Sequence, residues 1–320
     1  MFSGGLDSIL ATKLIQNQNI DVIAVHFLNP FCFCGKGLNK IEEVTKKLGV
    51  PLKKVKVGAD YLNMLRIPKH GYGKNLNPCI DCRIFIIKKA KKIAEELSAQ
   101  FVFTGEVLNE RPMSQHKQAM NIIEKETGLK NRILRPLSAK LLPQTEMEKK
   151  GIVDRSKLLA INGRSRKPQI RLAKELGITH YPSPAGGCLL TCKEYSKKLK
   201  DLFTHKKMIS LNDVELLKVG RHFRWNKNKI IVGRNQEENN KLISLKTKWD
   251  YYFEVPNVGS PITILKGLKT NKAITTAAKL TAFYSDTKNK KTTVKFGKEE
   301  LNRAILVNLP KLKEVNKLRI

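Results

Sequence analysis

Strand–helix alternation over the first two hundred residues predicts an α/β domain on a mostly parallel sheet. A change to closely spaced short strands beyond it predicts a smaller C-terminal α+β domain. Leu6, Ile9, Leu10, Leu14 and Ile15 have helical spacing across 6–17, and Asp21 to Phe27 is a short apolar run that reads as a buried strand. Residues 39–48 read as helix, 52–57 as strand, 80–97 as a basic amphipathic helix, and Phe101 to Thr104 as another strand. Helical patterns follow at 114–126 and 167–176, separated by a basic polar stretch. A boundary is expected at 196–210, after the helix EYSKKLKDLF, which gives domains of 1–200 and 205–320. The second half offers strands at 219–223, 229–232, 250–255, 262–265 and 292–296, with helices near 235–245 and 272–284. Residues 286–298, polar and Lys-rich, look like a hairpin with mobile ends. No internal repeat is visible.

Composition narrows the class. Of 320 residues, 41% are apolar and 28% charged, which is globular rather than disordered. Lys and Arg number 61 against 28 Asp and Glu, a net charge of +33. So basic a chain points to a polyanion such as RNA, DNA or anionic lipid, although a Lys-rich genome inflates the figure. The charge is not a tail. Residues 201–320 hold 25 basic against 11 acidic residues, and residues 1–200 hold 36 against 17. No run approaches the length of a membrane-spanning helix. The start, MFSGGLDSILATKLI, lacks the basic stretch and apolar core of a secretory signal, so a cytoplasmic protein with no membrane partner is expected. The six cysteines fall in three close pairs: Cys32 and Cys34, Cys79 and Cys82, Cys188 and Cys192. In a reducing compartment that pattern reads as metal or sulfur chemistry rather than a disulfide scaffold.

Ser3-Gly4-Gly5-Leu6-Asp7-Ser8 opens the first helix. Two glycines allow close backbone approach, the helix N-terminus offers unpaired N–H groups, and Ser3 and Ser8 add hydroxyls. Asp7 can orient the loop or hold Mg²⁺. The segment reads as a phosphate cradle without the Lys of a Walker loop. A Ser-Gly turn capping an ordinary helix is the plainer alternative. His26, at a strand's C-terminal end, sits where an open α/β sheet binds its ligand.

Asn77-Pro78-Cys79-Ile80-Asp81-Cys82-Arg83 sets two thiols three residues apart at a helix start, where the dipole favours thiolate. Cys188 lies in a glycine-rich loop that lets a third thiol approach from far along the chain. Three cysteines can ligate three irons of a [4Fe–4S] cluster and leave the fourth open. They can equally carry a persulfide and a resolving thiol. A zinc site needs a fourth ligand, for which Cys192 or His70 is available, and buried thiols without a role complete the alternatives. For Cys32 and Cys34, relay of sulfur and an incidental role are both open.

Lys218-Val219-Gly220-Arg221-His222-Phe223-Arg224-Trp225 mixes cations and aromatics on one expected strand, and Arg234 and Lys241 follow nearby. Guanidinium groups for phosphates and flat faces for bases suit RNA, and a basic solvated sheet is the alternative.

SGGLDS resembles the pyrophosphate loop of the PP-loop (N-type) ATP pyrophosphatases, whose fold is adenine nucleotide alpha hydrolase-like. That family binds ATP, adenylates a carbonyl oxygen and releases pyrophosphate. It places a strand directly before the loop, where this chain has only Met1 and Phe2. PKHGYGKNLNPCIDCR, TGEVLNERPMSQ, RPLSAKLLPQT and SPAGGCLLT, in that order, resemble the tRNA thiolases of the family, relatives of the 2-thiouridine and 4-thiouridine synthases, over about residues 1–200. The resemblance implies that Cys82 and Cys188 hold the two sulfur-handling positions. Cys79 stands where cluster-free 2-thiouridylases commonly carry Asp, which implies the three-cysteine type with a [4Fe–4S] cluster. Gly105 matches a nucleotide-side glycine, Arg135 is expected to meet ATP or RNA phosphate, and Gln115 and Lys140 lie in family-like motifs. Residues 205–310 are similar, more loosely, to the NFACT-type RNA-binding domain. The implied activity is ATP-dependent thiolation of a tRNA uridine, using ATP, Mg²⁺ and a sulfur donor (a cysteine desulfurase, a carrier protein or free sulfide). Another N-type ATP pyrophosphatase ligase and a non-catalytic RNA-binding factor are the competing functions.

Overall fold

The computed structural model describes residues 1–32, 38–179, 181 and 187–320. Cys34 and the run 182–186 of the glycine-rich loop lie outside the described residues. The chain divides into two compact units, Met1–Cys192 and Lys193–Ile320.

In the first unit, β1 (Ala24–Leu28) pairs in parallel with β2 (Leu52–Lys56), and β3 (Val102–Phe103) pairs in parallel with β4 (Ile133–Leu134). Met1 and Phe2 join the two pairs. Phe2 N donates to the Val25 carbonyl at 2.8 Å, and the Met1 amine donates to the Phe103 carbonyl at 2.8 Å. The order is therefore β2, β1, residues 1–2, β3, β4. Residues 1–2 lie between the two strand pairs, and the glycine loop springs from them. That is where strand order reverses, the position at which open α/β sheets bind ligands.

Helix α1 (Leu6–Gln16) follows the loop. It is apolar nearly all round because it is enclosed: Ile9 and Ile15 pack with Phe2, Val22 and Ile41, while Leu6, Leu10 and Leu14 pack with Val107, Leu137 and Ala173. Helices α2 (Leu38–Lys47) and α3 (Ala59–Arg66) precede α4 (Cys79–Glu96), whose Ile84 and Ile87 pack against Ile123 of α5 (Lys117–Thr127). Short α6 (Glu146–Lys149) and α7 (Lys167–Glu175) complete the unit. The mixed α/β class with parallel pairing is as the sequence predicts.

The second unit starts with α8 (Lys193–His205) and α9 (Leu211–Leu216). A six-stranded antiparallel sheet follows: β5 (Arg221–Trp225), β6 (Asn228–Val232), β7 (Tyr251–Glu254), β8 (Thr263–Lys266), β9 (Lys291–Gly297) and β10 (Arg303–Asn308), in the order β10-β9-β7-β8-β6-β5. The alanines of α11 (Asn271–Phe283), Ala273, Ala277 and Ala278, let it lie close over Phe253, Leu265 and Val294 on one face. Leu216 of α9 and Leu242 of α10 (Gln236–Leu245) cover Ile231 and Ile264 on the other. Helix α12 (Leu312–Leu318) ends the chain. The expected hairpin at 286–298 contributes β9, whose partner β10 lies beyond it. Among the described residues, no helix is long and apolar enough to cross a membrane.

Candidate functional site

Gly4 has φ +78°, and a Cβ there would meet Cγ1 of Ile41 at 2.7 Å, so glycine lets the loop turn tightly over α2. Gly5 caps α1. Ser8 Oγ donates to the Gly5 carbonyl at 2.8 Å, and Gly5 N donates to Ser3 Oγ at 3.3 Å. A Cβ on Gly105 would lie 2.6 Å from the Asp7 carbonyl and from Ser8 N. Gly105 thus forms the facing wall of the loop. Burial raises the pKa of Asp7, and the guanidinium groups of Arg166 and Arg111 pull it back. Asp7 Oδ1 and Arg166 Nε are buried without a hydrogen-bond partner among the described residues. Such orphaned groups are rare in a folded chain. A bare carboxylate oxygen and a bare guanidinium N–H beside a helix N-terminus fit a divalent cation and the phosphates it accompanies. Arg111 lies in the TGEVLNERPMSQ motif but was given no role there, and Arg166 lies in no motif that the sequence marks.

His26 Nδ1 lies 2.9 Å from the Phe2 carbonyl, and burial lowers its pKa, so the neutral ring donates there and ties β1 to residues 1–2. Arg135, expected to meet phosphate, is placed among carboxylates. Its Nε donates to Glu106 at 3.1 Å and its Nη1 pairs with Glu124, with Arg135 and Glu106 each only 3% exposed. This guanidinium neutralises the buried Glu106 and the half-buried Glu124, and its Nη2 has no hydrogen-bond partner among the described residues. Burial opposes ionisation of Glu106, yet Arg83 and Arg135 together hold it below the ordinary carboxylate pKa. Gln115 Oε1 accepts from Arg111 N at 3.0 Å, and Lys140 Nζ donates to the Ser156 carbonyl at 2.8 Å. Both fasten loops.

The thiols converge from three segments. Cys79 and Cys82 stand in the first turn of α4, where Cys82 N donates to the Pro78 carbonyl at 2.8 Å. Asp81, between them, accepts from Lys69 N and His70 N, both at 3.0 Å, and so pins the preceding loop. That loop in turn holds the turn carrying Cys188. Asn75 Nδ2 donates to the Thr191 carbonyl at 2.7 Å, and Leu76 N to the Leu190 carbonyl at 3.2 Å. On its other side Cys188 forms an antiparallel β-bridge with Cys32. Beneath them Tyr61 packs tilted against Phe31 and edge-to-face with Phe85, with ring centroids 6.0 Å and 5.2 Å apart, and the Tyr61 hydroxyl donates to Cys82 Sγ at 3.2 Å. Sequence reading left Cys32 undecided and did not mark Tyr61.

The thiols are near enough for charge on one to oppose charge on the next. Burial foremost pushes Cys79 and Cys82 up and takes Cys188 to about 12, so all three are neutral thiols. Among the described residues no three His, Cys, Asp or Glu side chains stand close enough to share a metal ion. His70, the alternative fourth zinc ligand, has Nε2 2.9 Å from Glu126 instead.

On the second unit, most of the expected RNA-contacting cations have intramolecular partners. Arg224 donates through Nε and Nη2 to Asp201 at 2.9 and 2.5 Å, and Arg234 pairs with Glu238. Arg221 lies 4.6 Å over the Tyr284 ring and donates to the Gly233 carbonyl at 3.0 Å. Lys241 is exposed. Sequence reading missed Trp249, which is 67% exposed with the ammonium groups of Lys248 and Lys298 at 5.1 and 5.8 Å from its ring. Lys246 stands 5.3 Å over Tyr252 beside it.

Comparison with known proteins agrees with this division. The NFACT protein RNA-binding domain family matches residues 220–318. The chain is 28% identical over 130 residues to a tRNA-specific 2-thiouridylase MnmA of Psychromonas ingrahamii, covering 37% of this chain and 35% of that one. It is 27% identical over 178 residues to a probable tRNA sulfurtransferase of Thermococcus kodakarensis, covering 53% and 42%. A MnmA of Pediococcus pentosaceus is 24% identical over 227 residues, covering 66% and 56%. The chain thus spans about a third to a little over half the length of these curated relatives. The family described as thiamine biosynthesis protein (ThiI) matches residues 1–172, more than half of the sequence, and this chain belongs to the ThiI family.

Proposed function

We propose that this chain is an ATP-dependent tRNA-uridine thiolase with a PP-loop domain over residues 1–200 and an RNA-binding domain over 205–320. One observation carries the reading. Thiols more than a hundred residues apart, Cys79 and Cys82 with Cys188, gather in the same unit as a glycine loop whose Asp7 and Arg166 have orphaned polar atoms.

ATP is the substrate of the loop. The N–H groups at the start of α1, the hydroxyls of Ser3 and Ser8, and the guanidinium groups of Arg111 and Arg166 hold its phosphates. Gly4, Gly5 and Gly105 leave room for them. Asp7 would hold Mg²⁺, which supplies charge neutralisation at the phosphates when bound. The uridine carbonyl oxygen attacks the α-phosphorus, and pyrophosphate leaves. The oxygen then departs as AMP when sulfur attacks its carbon. Two sulfur chemistries are open to Cys79, Cys82 and Cys188: ligation of a [4Fe–4S] cluster that presents sulfur, and a persulfide carrier with its resolving thiol. A cysteine desulfurase, a carrier protein or free sulfide supplies the sulfur. Thiols that must stay reduced between turnovers suit the cytoplasm. Arg221, Lys241 and the Trp249 surface are the RNA contacts, whereas Arg224 and Arg234 are held by carboxylates.

The test is thiolation by purified protein given tRNA, ATP and sulfide, followed by nucleoside mass spectrometry and pyrophosphate assay. A thiolated uridine that requires ATP and disappears in Cys82→Ala and Cys188→Ala is expected. Pyrophosphate release on tRNA that survives both substitutions, without thiolation, would favour a ligase of another kind.

A further inference from the structure

The β-bridge between Cys32 and Cys188 has one backbone bond among the described residues, Leu189 N donating to the Phe31 carbonyl at 2.9 Å. This bond joins the residue after Cys188 to the residue before Cys32. The two cysteines are therefore a non-hydrogen-bonded antiparallel pair, the kind in which opposed Cα atoms lie about 4.5 Å apart and side chains leave on the same face. A disulfide spans Cα separations of roughly 4.4 to 6.8 Å. The bridge thus sets Cys32 opposite Cys188 in the type of pair whose usual spacing, about 4.5 Å, lies within the range a disulfide spans. The Phe31 side chain, fully buried against Tyr61, fixes the Cys32 strand, and the bonds from Asn75 and Leu76 fix the other. Cys82 has a different partner, the Tyr61 hydroxyl.

We propose that Cys32 is a catalytic thiol of this site and closes the sulfur-transfer cycle by forming a reversible cross-strand disulfide with Cys188. This rests on the thiolase reading and adds a residue to it. Cys188 carries the sulfane sulfur as a persulfide. The terminal sulfur of that persulfide bonds to the uridine carbon as AMP leaves with the carbon–oxygen electron pair, and the persulfide proton passes to solvent. Cys32 thiolate then attacks Cys188 Sγ. The bond between Cys188 Sγ and the transferred sulfur breaks, and the thiolated base leaves with that electron pair. The transferred sulfur is reduced, the two cysteines are oxidised to the disulfide, and a dithiol reductant returns them to thiols for the next turnover.

The test is disulfide mapping on the full chain, with Cys34→Ser and Cys192→Ser introduced so that Cys32 and Cys188 are each the single thiol of their segment, Cys79 and Cys82 remaining together on the third. The as-purified reduced protein is treated with limiting diamide, digested without reductant and analysed by tandem mass spectrometry. A Cys32–Cys188 cross-link in several-fold excess over any other is expected, and Cys32→Ala should abolish it while the protein keeps its thermal transition. A Cys82–Cys188 or Cys79–Cys82 cross-link dominating while Cys32 stays alkylatable would overturn the proposal, as would protection of all these thiols by a bound cluster absorbing near the visible edge. The mapping needs neither ATP nor tRNA, so its failure leaves thiolation standing. Failure of thiolation, conversely, leaves the redox pair to be judged on the cross-link alone.

Discussion

The Tyr61 hydroxyl donates to Cys82 Sγ at 3.2 Å from a ring that is 1% exposed. Burial raises the Tyr61 pKa well above that of a free phenol, with Cys82 adding to it, so the group stays a donor. On the sulfur the same bond favours thiolate against the burial that disfavours it. Tyr61→Phe is therefore expected to push the Cys82 thiol higher still and to slow its alkylation by iodoacetamide by roughly tenfold, the worth of a hydrogen bond to a charged group. Alkylation rates across pH, read at Cys82 by mass spectrometry, check this; an unchanged rate would mean that the bond does not tune the sulfur.

Gly105→Ala places a methyl group 2.6 Å from the backbone of Asp7 and Ser8, where no rotamer can relieve it. The loop must move. A loss of about 1–3 kcal/mol in stability and at least a tenfold weaker affinity for ATP are expected, measured by denaturant titration and isothermal calorimetry.

Glu106→Gln leaves Arg135 and Arg83 facing a neutral amide. Removing one member of a buried ion pair costs roughly 3 kcal/mol or more, read as a lower urea midpoint. The arginines hold the Glu106 pKa below its ordinary value. Its stabilisation is thus present above that ordinary value and is lost as pH falls through the folded one. The wild-type protein should lose stability on acidification more steeply than Glu106→Gln, and parallel curves would show that the carboxylate contributes nothing.

How much of this was legible beforehand varies with how local the cause is. Helix α1 and the phosphate loop could be read because glycines followed by helix-spaced Leu and Ile are a local signal. Five of the six strands of the second unit start within two residues of the expected positions, since alternation as in KTTVKFG is local as well, whereas β10 was not expected. That Arg135 pairs with Glu106 and Glu124 was not legible, because those partners are twenty-nine and eleven positions away. Cys32 was undecided for the same reason: its partner is 156 positions away, and only the bridge pairs them. That Met1 and Phe2 bond to strands β3 and β1 was not legible, because those partners lie far along the chain.

Trp249 provides a flat exposed face between two ammonium groups. Stacking of an unpaired base on such a ring is worth about 1–3 kcal/mol. Trp249→Ala should weaken binding of single-stranded RNA by roughly five- to a hundredfold, with Trp249→Phe between the two. Fluorescence offers a second reading, because Trp225 is the only other tryptophan. Quenching by RNA should vanish in Trp249→Phe and persist in Trp225→Phe.

The central claim is that this chain replaces a uridine oxygen of tRNA with sulfur, and tRNA from a strain lacking it tests that most directly. Nucleoside mass spectrometry should show one thiolated uridine missing, restored by the wild-type chain and not by Cys82→Ala, Cys188→Ala or Asp7→Ala. A full set of thiolated nucleosides in the deletion strain would contradict the account.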